Sequence, residues 1–238
     1  MRTFIFLLLS FFLNSSAYLS QELPEYISKD GLLVWLPLDG DTEDKSDHGY
    51  HALNFGAELT ENRFKKKNSA LLLNGMGSYL SMDAYTEDLL LTNNFTISLW
   101  VNMQFSPGKN SCIFSKGDDL SNEFSLVVTP NNQLHFPGGN LATAPFINFM
   151  HFGHWVHIVC EVSNGNAIIF IDGREVSSFP MGRFILGSNL PFVFGAKFEP
   201  GTSTPLMDSY FRGEIDDIAI WNRALHKKEI KAIFKSKE

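Results

Sequence analysis

The stretch GEIDDIAIWNRAL, residues 213–225, sets three carboxylates, Glu214, Asp216 and Asp217, into an otherwise apolar run near the C-terminus. Strand interiors disfavour Asp, so these acids call for a catalytic row, a metal site or a fold signature with surface charges. Calcium gathers several oxygens from carboxylates and backbone carbonyls together, and is an explanation for some of these acids. In an extended strand Glu214 and Asp216 share one face and Asp217 takes the other, so only one of the adjacent aspartates is expected to face a given site. Three histidines cluster as His151, His154 and His157. Their spacing would suit a helix face, but HFGHWVHIVCEV reads as loop then strand. His154 and His157 then point to opposite faces, and a zinc site is not expected. Cys112 and Cys160 can either pair in an oxidising compartment or stay as buried thiols. The basic run in ENRFKKKN, Arg63 and Lys65–Lys67, reads as a solvated loop.

A second chemistry is stacking. Sugar sites lay aromatic faces on pyranose rings and add a few polar groups. The candidates are Phe146, Phe149 and Phe152 in the irregular segment PGGNLATAPFINFMHFG (137–153), with Tyr50, Tyr85 and Tyr210 near turns. Each ring taken singly also suits a packed core. Trp35, Trp100, Trp155 and Trp221 lie inside apolar runs and are expected in the core.

The elements that must carry these side chains are nearly all strands. GLLVWLPL (31–38), HALNFGA (51–57), SALLLNG (69–75) and SYLSM (78–82) are short runs bounded by turn residues. Gly75 and Gly77 predict that the last two form a hairpin. NFTISLWVNMQF (94–105) alternates apolar and polar residues with period two. SCIFSKGD (111–118), FSLVVTP (124–130), QLHF (133–136), HWVHIVCEVS (154–163), AIIFIDG (167–173), REVSSF (174–179), PFVFGAKF (191–198) and YFRGEIDDIAIWNR (210–223) continue the pattern. Asp172-Gly173 is a strong two-residue hairpin signal. Only HKKEIKAIFKSK (226–237) spaces its apolar residues as a helix. The expectation is one all-β sandwich or barrel with a short C-terminal helix.

The chain opens MRTFIFLLLSFFLNSSAYLSQE, with Arg2, an apolar run from Phe4 to Leu13, and Ser15 and Ala17 before a cleavage point. That is the layout of a secretory signal peptide, and the run is too short for a transmembrane helix. The expected plan is a signal peptide over 1–17, an extension over 18–30 and one domain over 31–238, exported to an extracellular or periplasmic space. Removing residues 1–17 takes away Arg2 and no acid, so Lys plus Arg falls from 19 to 18 against 26 acids, a charge of −8. A nucleic-acid binder needs a basic footprint, and none is present. Membrane insertion is not expected either.

Three stretches resemble the laminin-G-like, concanavalin-A-like jelly-roll domains. LPLDGDTEDKSDHGYHAL is similar to the family's N-terminal turn, with Asp44, Ser46, Gly49 and His51 on pattern. NFTISLWV and HWVHIVCEVSNGNAIIFIDGREV resemble its central strands, with the W-x-H pair at Trp155 and His157 and the hairpin at Asp172-Gly173. FRGEIDDIAIWNRALHKKEI is similar to its C-terminal signature. The resemblance implies an all-β jelly-roll sandwich whose last strand meets the first. It also implies a structural calcium shared by Asp39 with Asp216 or Asp217, and His157 as a packing residue; separately, the Asp44 carboxylate can accept from the backbone near Ser46, and an Asx-turn is expected there. Glucanases of this fold carry an E-x-D-x-x-E row. Glu214 and Asp216 fill two of its positions, but Ile218 or Ala219 takes the third, and retaining chemistry needs its second carboxylate. The resulting expectation is a non-catalytic module that binds a glycan or glycoprotein, with Tyr50, Phe146, Phe149 and Phe152 as ligand residues. A glycoside hydrolase or polysaccharide lyase and a protein-binding adhesion module are the alternatives, since one fold hosts all three.

Overall fold

The computed structural model describes residues 23–82, 91, 94–104, 109–117, 124–138, 144–148, 152–181, 190–202 and 204–237. The expected signal peptide, Tyr85, Phe149 and His151 lie outside the described residues. The strands run in chain order β1 (Leu32–Leu36), β2 (Ala52–Phe55), β3 (Glu58–Thr60), β4 (Ala70–Asn74), β5 (Tyr79–Met82), β6 (Phe95–Met103), β7 (Ser111–Lys116) and β8 (Phe124–Val128). They continue as β9 (Gln133–His135), β10 (Phe146–Asn148), β11 (Trp155–Ser163), β12 (Asn166–Ile171), β13 (Arg174–Pro180), β14 (Phe192–Phe194) and β15 (Arg212–Trp221), followed by helix α1 (Lys227–Phe234).

Two antiparallel sheets face each other. The first has the order β13-β12-β11-β6-β15-β4-β3, with β1 also paired to β15; the second has the order β10-β9-β8-β7-β14-β5-β2. The period-two pattern decides which side chains meet between them. Phe95, Ile97, Leu99, Val101 and Met103 of β6 point inward, as do Val156, Ile158, Cys160 and Val162 of β11. From the second sheet, Phe114, Leu126, Leu134, Phe192 and Phe194 fill the other half of the core. This is a concanavalin-A-like jelly-roll sandwich, and β1 meets β15 with Leu36 opposite Ile218 as the seam between the ends requires.

The first sheet carries a third layer on its outer face. Ile27, Trp35, Trp221, Ile230 and Ile233 pack there with Val159 and Phe170. Residues 23–30, expected as an extension, thus sit on the sheet together with α1. The Trp221 indole donates to the Ser28 carbonyl at 2.8 Å, and Arg223 Nη2 reaches the Ser28 hydroxyl at 2.9 Å. Trp35 and Trp221 are therefore buried outside the sandwich rather than between its sheets, while Trp155 is only half-buried.

The two-residue turn at Asp172-Gly173 joins β12 to β13 with φ of 50° and 71°. The hairpin expected around Gly75 and Gly77 does not form. β4 pairs with β3 and β15, whereas β5 pairs with β14 and β2, so this link crosses from one sheet to the other. Asn74 Oδ1 accepts from Met76 and Ser78 N–H groups, a side-chain turn that replaces ladder bonds. The Asx-turn at Asp44 is present and does more than expected. Its buried carboxylate accepts from the backbone N–H groups of Trp35, Ser46 and Tyr50 at 2.8–2.9 Å and from the Ser46 hydroxyl at 2.7 Å. His51 Nδ1 accepts the Asp44 N–H at 3.0 Å. The motif residues Asp44, Ser46 and His51 thus fix the loop to β1. Cys112 and Cys160 do not pair with each other; they lie in different sheets, and both are buried.

Candidate functional site

The acids of β15 find a partner 153 residues away. Arg63 lies in the link between β3 and β4, and its Nη1 stands 2.9 Å from Asp216 Oδ2 and 2.6 Å from Asp217 Oδ2. Simple alternation would have sent the two carboxylates to opposite faces. A β-bulge prevents this: Asp216 pairs with Trp100 and Ala219 with Ser98, so β15 spends one more residue than β6 across that interval. Asp217 takes φ of +49° there, a conformation that Asp tolerates better than most residues. Both aspartates consequently face outward on the first sheet. The Asp217 N–H donates to Asp216 Oδ1 at 2.9 Å. Glu214 accepts instead from the Asn102 amide at 2.7 Å.

Arg63 was expected in a solvated loop, yet its side chain is only 7% exposed. Its guanidinium carbon lies 4.4 Å from the Phe64 ring centroid and 4.6 Å from that of Trp100. Stacking of this kind suits a planar, weakly hydrated cation. Burial, and then the Asp217 charge, push the Asp216 carboxyl well above the usual carboxylate range, with Arg63 opposing them. Beside Trp100, His157 is fully buried, with Nε2 2.8 Å from the Ser98 hydroxyl. Burial, and then Arg63, push its pKa down to about 3. It packs as a neutral ring, as the family resemblance implies.

A cavity of about 250 Å³ opens above this cluster. Pro24, Tyr26, Trp35 and Pro37 form an apolar wall. All three residues expected to share calcium, Asp39, Asp216 and Asp217, line it as well. The geometry nevertheless does not fit that ion. Calcium asks for six to eight oxygens around a charge of +2. Here Arg63 already takes an oxygen from Asp216 and one from Asp217, and Lys66 Nζ sits 3.1 Å from Asp39 Oδ2. Lys45 and Lys237 line the cavity too, so four basic side chains stand against three acids. Among the described residues no three His, Cys, Asp or Glu side chains gather as a metal-binding group.

The expected ligand residues stand apart from one another. Phe146 is on β10, at one edge of the second sheet, 59% exposed and stacked on His135 at 4.4 Å. Tyr50 is half-buried in the Asp44 loop, against the core and stacked on His48. Phe152 is exposed in the turn before β11 of the first sheet.

A different aromatic run occupies the outer face of the second sheet. Leu53 and Phe55 alternate outward on β2 and are 66% and 43% exposed. Phe55 lies opposite Tyr79 of β5, and the two rings are parallel with centroids 4.5 Å apart. Tyr210 follows at 6.5 Å from Tyr79. Both tyrosines rest on buried Val193, Ala196 and Phe198. Burial, and then Tyr210, raise the Tyr79 phenol pKa above its ordinary value, which keeps its O–H available as a donor. Of this trio only Tyr210 stood out in the sequence. Strand alternation held the signal for the others: in HALNF the core takes Ala52, and in SYLSM it takes Leu80, which sends Phe55 and Tyr79 outward.

The family described as the concanavalin A-like lectin/glucanases superfamily matches residues 74–231, and the chain belongs to it. No curated protein matches it by sequence. Among solved structures, it is similar to the binding domain of Paraclostridial Mosquitocidal Protein 1, with TM-score 0.67 and 19% identity over 87% of this chain and 52% of that one. The receptor binding domain of botulinum neurotoxin C/D mosaic serotype gives TM-score 0.67 and 12% identity, again over 87% and 52%. Trypanosoma rangeli sialidase in complex with sialic acid gives TM-score 0.66 and 18% identity over 86% of this chain and 32% of that chain. The chain therefore spans about half of the toxin domains and about a third of the sialidase. At these identities the likeness is one of fold.

Proposed function

We propose that this protein is an exported, non-catalytic module that recognises a glycan or glycoconjugate on the outer face of its second sheet. The observation that carries this reading is the run Phe55–Tyr79–Tyr210, an exposed phenylalanine followed by two half-buried tyrosines on the outer face of the sheet. Such a surface suits the apolar face of a pyranose ring, with the hydroxyls fixing its orientation. The likeness in fold to binding domains of toxins supports a recognition role. The acids of β15 lend little to hydrolysis, because Arg63 holds two of them and Asn102 the third.

A glycan array run beside reducing-sugar release on the same glycans tests the proposal. The expected outcome is binding without turnover. Phe55→Ala and Tyr79→Ala should each weaken binding about tenfold, as truncation of a central aromatic does, while the protein stays folded. Unchanged affinity in both variants would remove the sheet face from consideration, and sugar release would end the non-catalytic reading. Export has its own readout: N-terminal sequencing of protein recovered outside the producing cells should begin at Tyr18.

A further inference from the structure

We propose that the Arg63 guanidinium is a built-in counter-ion that closes this domain without calcium, tying the β3–β4 link, the last strand and the C-terminal tail together. Three observations converge on it. The bulge in β15 turns both Asp216 and Asp217 outward, where one nitrogen, Nη1, meets both carboxylates at 2.9 and 2.6 Å. The other terminal nitrogen, Nη2, donates to the Ser236 hydroxyl at 3.3 Å, beyond the end of α1. The whole cluster is buried, with side-chain exposures of 7%, 2% and 10% for Arg63, Asp216 and Asp217. Rings of Phe64 and Trp100 lie beside the guanidinium carbon.

A cation that joins distant segments through shared carboxylates is what a structural metal supplies. The guanidinium does the same work with a covalent leash. Its planar fork reaches three side chains at once, which a lysine's single ammonium does less well. A divalent ion on the same two carboxylates would sit against this fixed positive charge in a buried, weakly screened space. Asp39, on the rim of the same cavity, is engaged by Lys66 in the same manner. Each of the acids expected to share a metal therefore faces a basic side chain of the β3–β4 link.

The test uses the full chain. Metal analysis of purified protein should find no stoichiometric calcium, and the melting temperature should be the same in EDTA and in millimolar calcium. Stoichiometric calcium, or a melting temperature that falls on chelation, overturns the proposal. Arg63→Met should lower the melting temperature by about 10 °C, because removing one partner leaves buried charge uncompensated. Adding Asp216→Asn and Asp217→Asn to that variant should recover most of the loss, since no charge then remains to be matched. An Arg63→Met protein as stable as the parent overturns the proposal. So does a triple variant no more stable than Arg63→Met, which would mean that the side chain only fills space. If Arg63→Met does not fold, a folded triple variant supports the proposal and an unfolded one overturns it.

Discussion

His157 and Glu161 sit four residues apart on β11, on the same outward face, and burial moves their titrations in opposite directions. For His157 the folded pKa lies near 3 against an ordinary 6.5. Below about pH 6.5 the unfolded chain takes up a proton that the folded ring refuses, so this residue costs stability as pH falls. Glu161 is pushed up to about 7 from 4.5, first by burial and then by Glu175, with Lys227 opposing. Between those values the folded state holds the proton more tightly than the unfolded chain. Its contribution is complete below about pH 4.5 and is lost as pH rises through 7. Glu161→Gln, which cannot ionise, should therefore gain on the parent as pH is raised from about 5 to 8. Thermal melts of both proteins across that range check the sign. A melting-temperature difference that does not change with pH would show that Glu161 ionises alike in both states.

At the scale of elements, β15 carries the arrangement. It lies between β6 on one side and both β4 and β1 on the other, so its shape fixes three neighbouring strands. Gly213 opens it where there is no room for a side chain. A Cβ there would stand 2.5 Å from the Asn102 carbonyl oxygen and 2.9 Å from the Phe211 ring. Gly213→Ala should cost about 2–3 kcal/mol through strand displacement, seen as a lower urea midpoint with unchanged slope. An unaltered midpoint would mean that the β6–β15 spacing relaxes freely. This strand also marks how far the sequence could be read. The alternation in FTISLWVNM and the Asp172-Gly173 turn are local signals, and the strands and hairpin follow from them. The bulge is not written in alternation. Adjacent aspartates imply opposite faces, and only the tolerance of Asp217 for positive φ hints otherwise. Arg63 was illegible for a second reason: its partners are 153 residues distant, and the three lysines that follow it advertise a solvent-facing loop. β3 and β10 have three residues each, too few to show any period. The aromatic face was half-legible, since Tyr210 stood near a turn while Phe55 and Tyr79 read as ordinary strand residues.

Across the whole molecule, the sandwich core and the outer layer of residues 23–30 and α1 share the first sheet, so one cooperative unit should include both. Helix α1 is tied in at its start: the His226 N–H donates to Glu229 at 2.7 Å, and Arg223 bridges Glu229 to residues 28–30. The two cysteines report on that unit independently. Cys160 points into the core from the first sheet, while Cys112, on β7 of the second sheet, donates its S–H to the Phe114 carbonyl. Burial holds the Cys160 thiol well above its ordinary pKa, and only the thiolate attacks a disulfide reagent. Native protein should therefore show no reactive thiol, and both should titrate in denaturant. The slow labelling rate in water should rise with urea along the equilibrium unfolding curve, because modification passes through the open state. A reductant should leave the melting temperature where it was, whereas loss of a native disulfide would cost about 2–5 kcal/mol. Rapid labelling of one cysteine under native conditions would separate its layer from the rest of the fold, and a fall in melting temperature with reductant would mean that the pair is bonded after all.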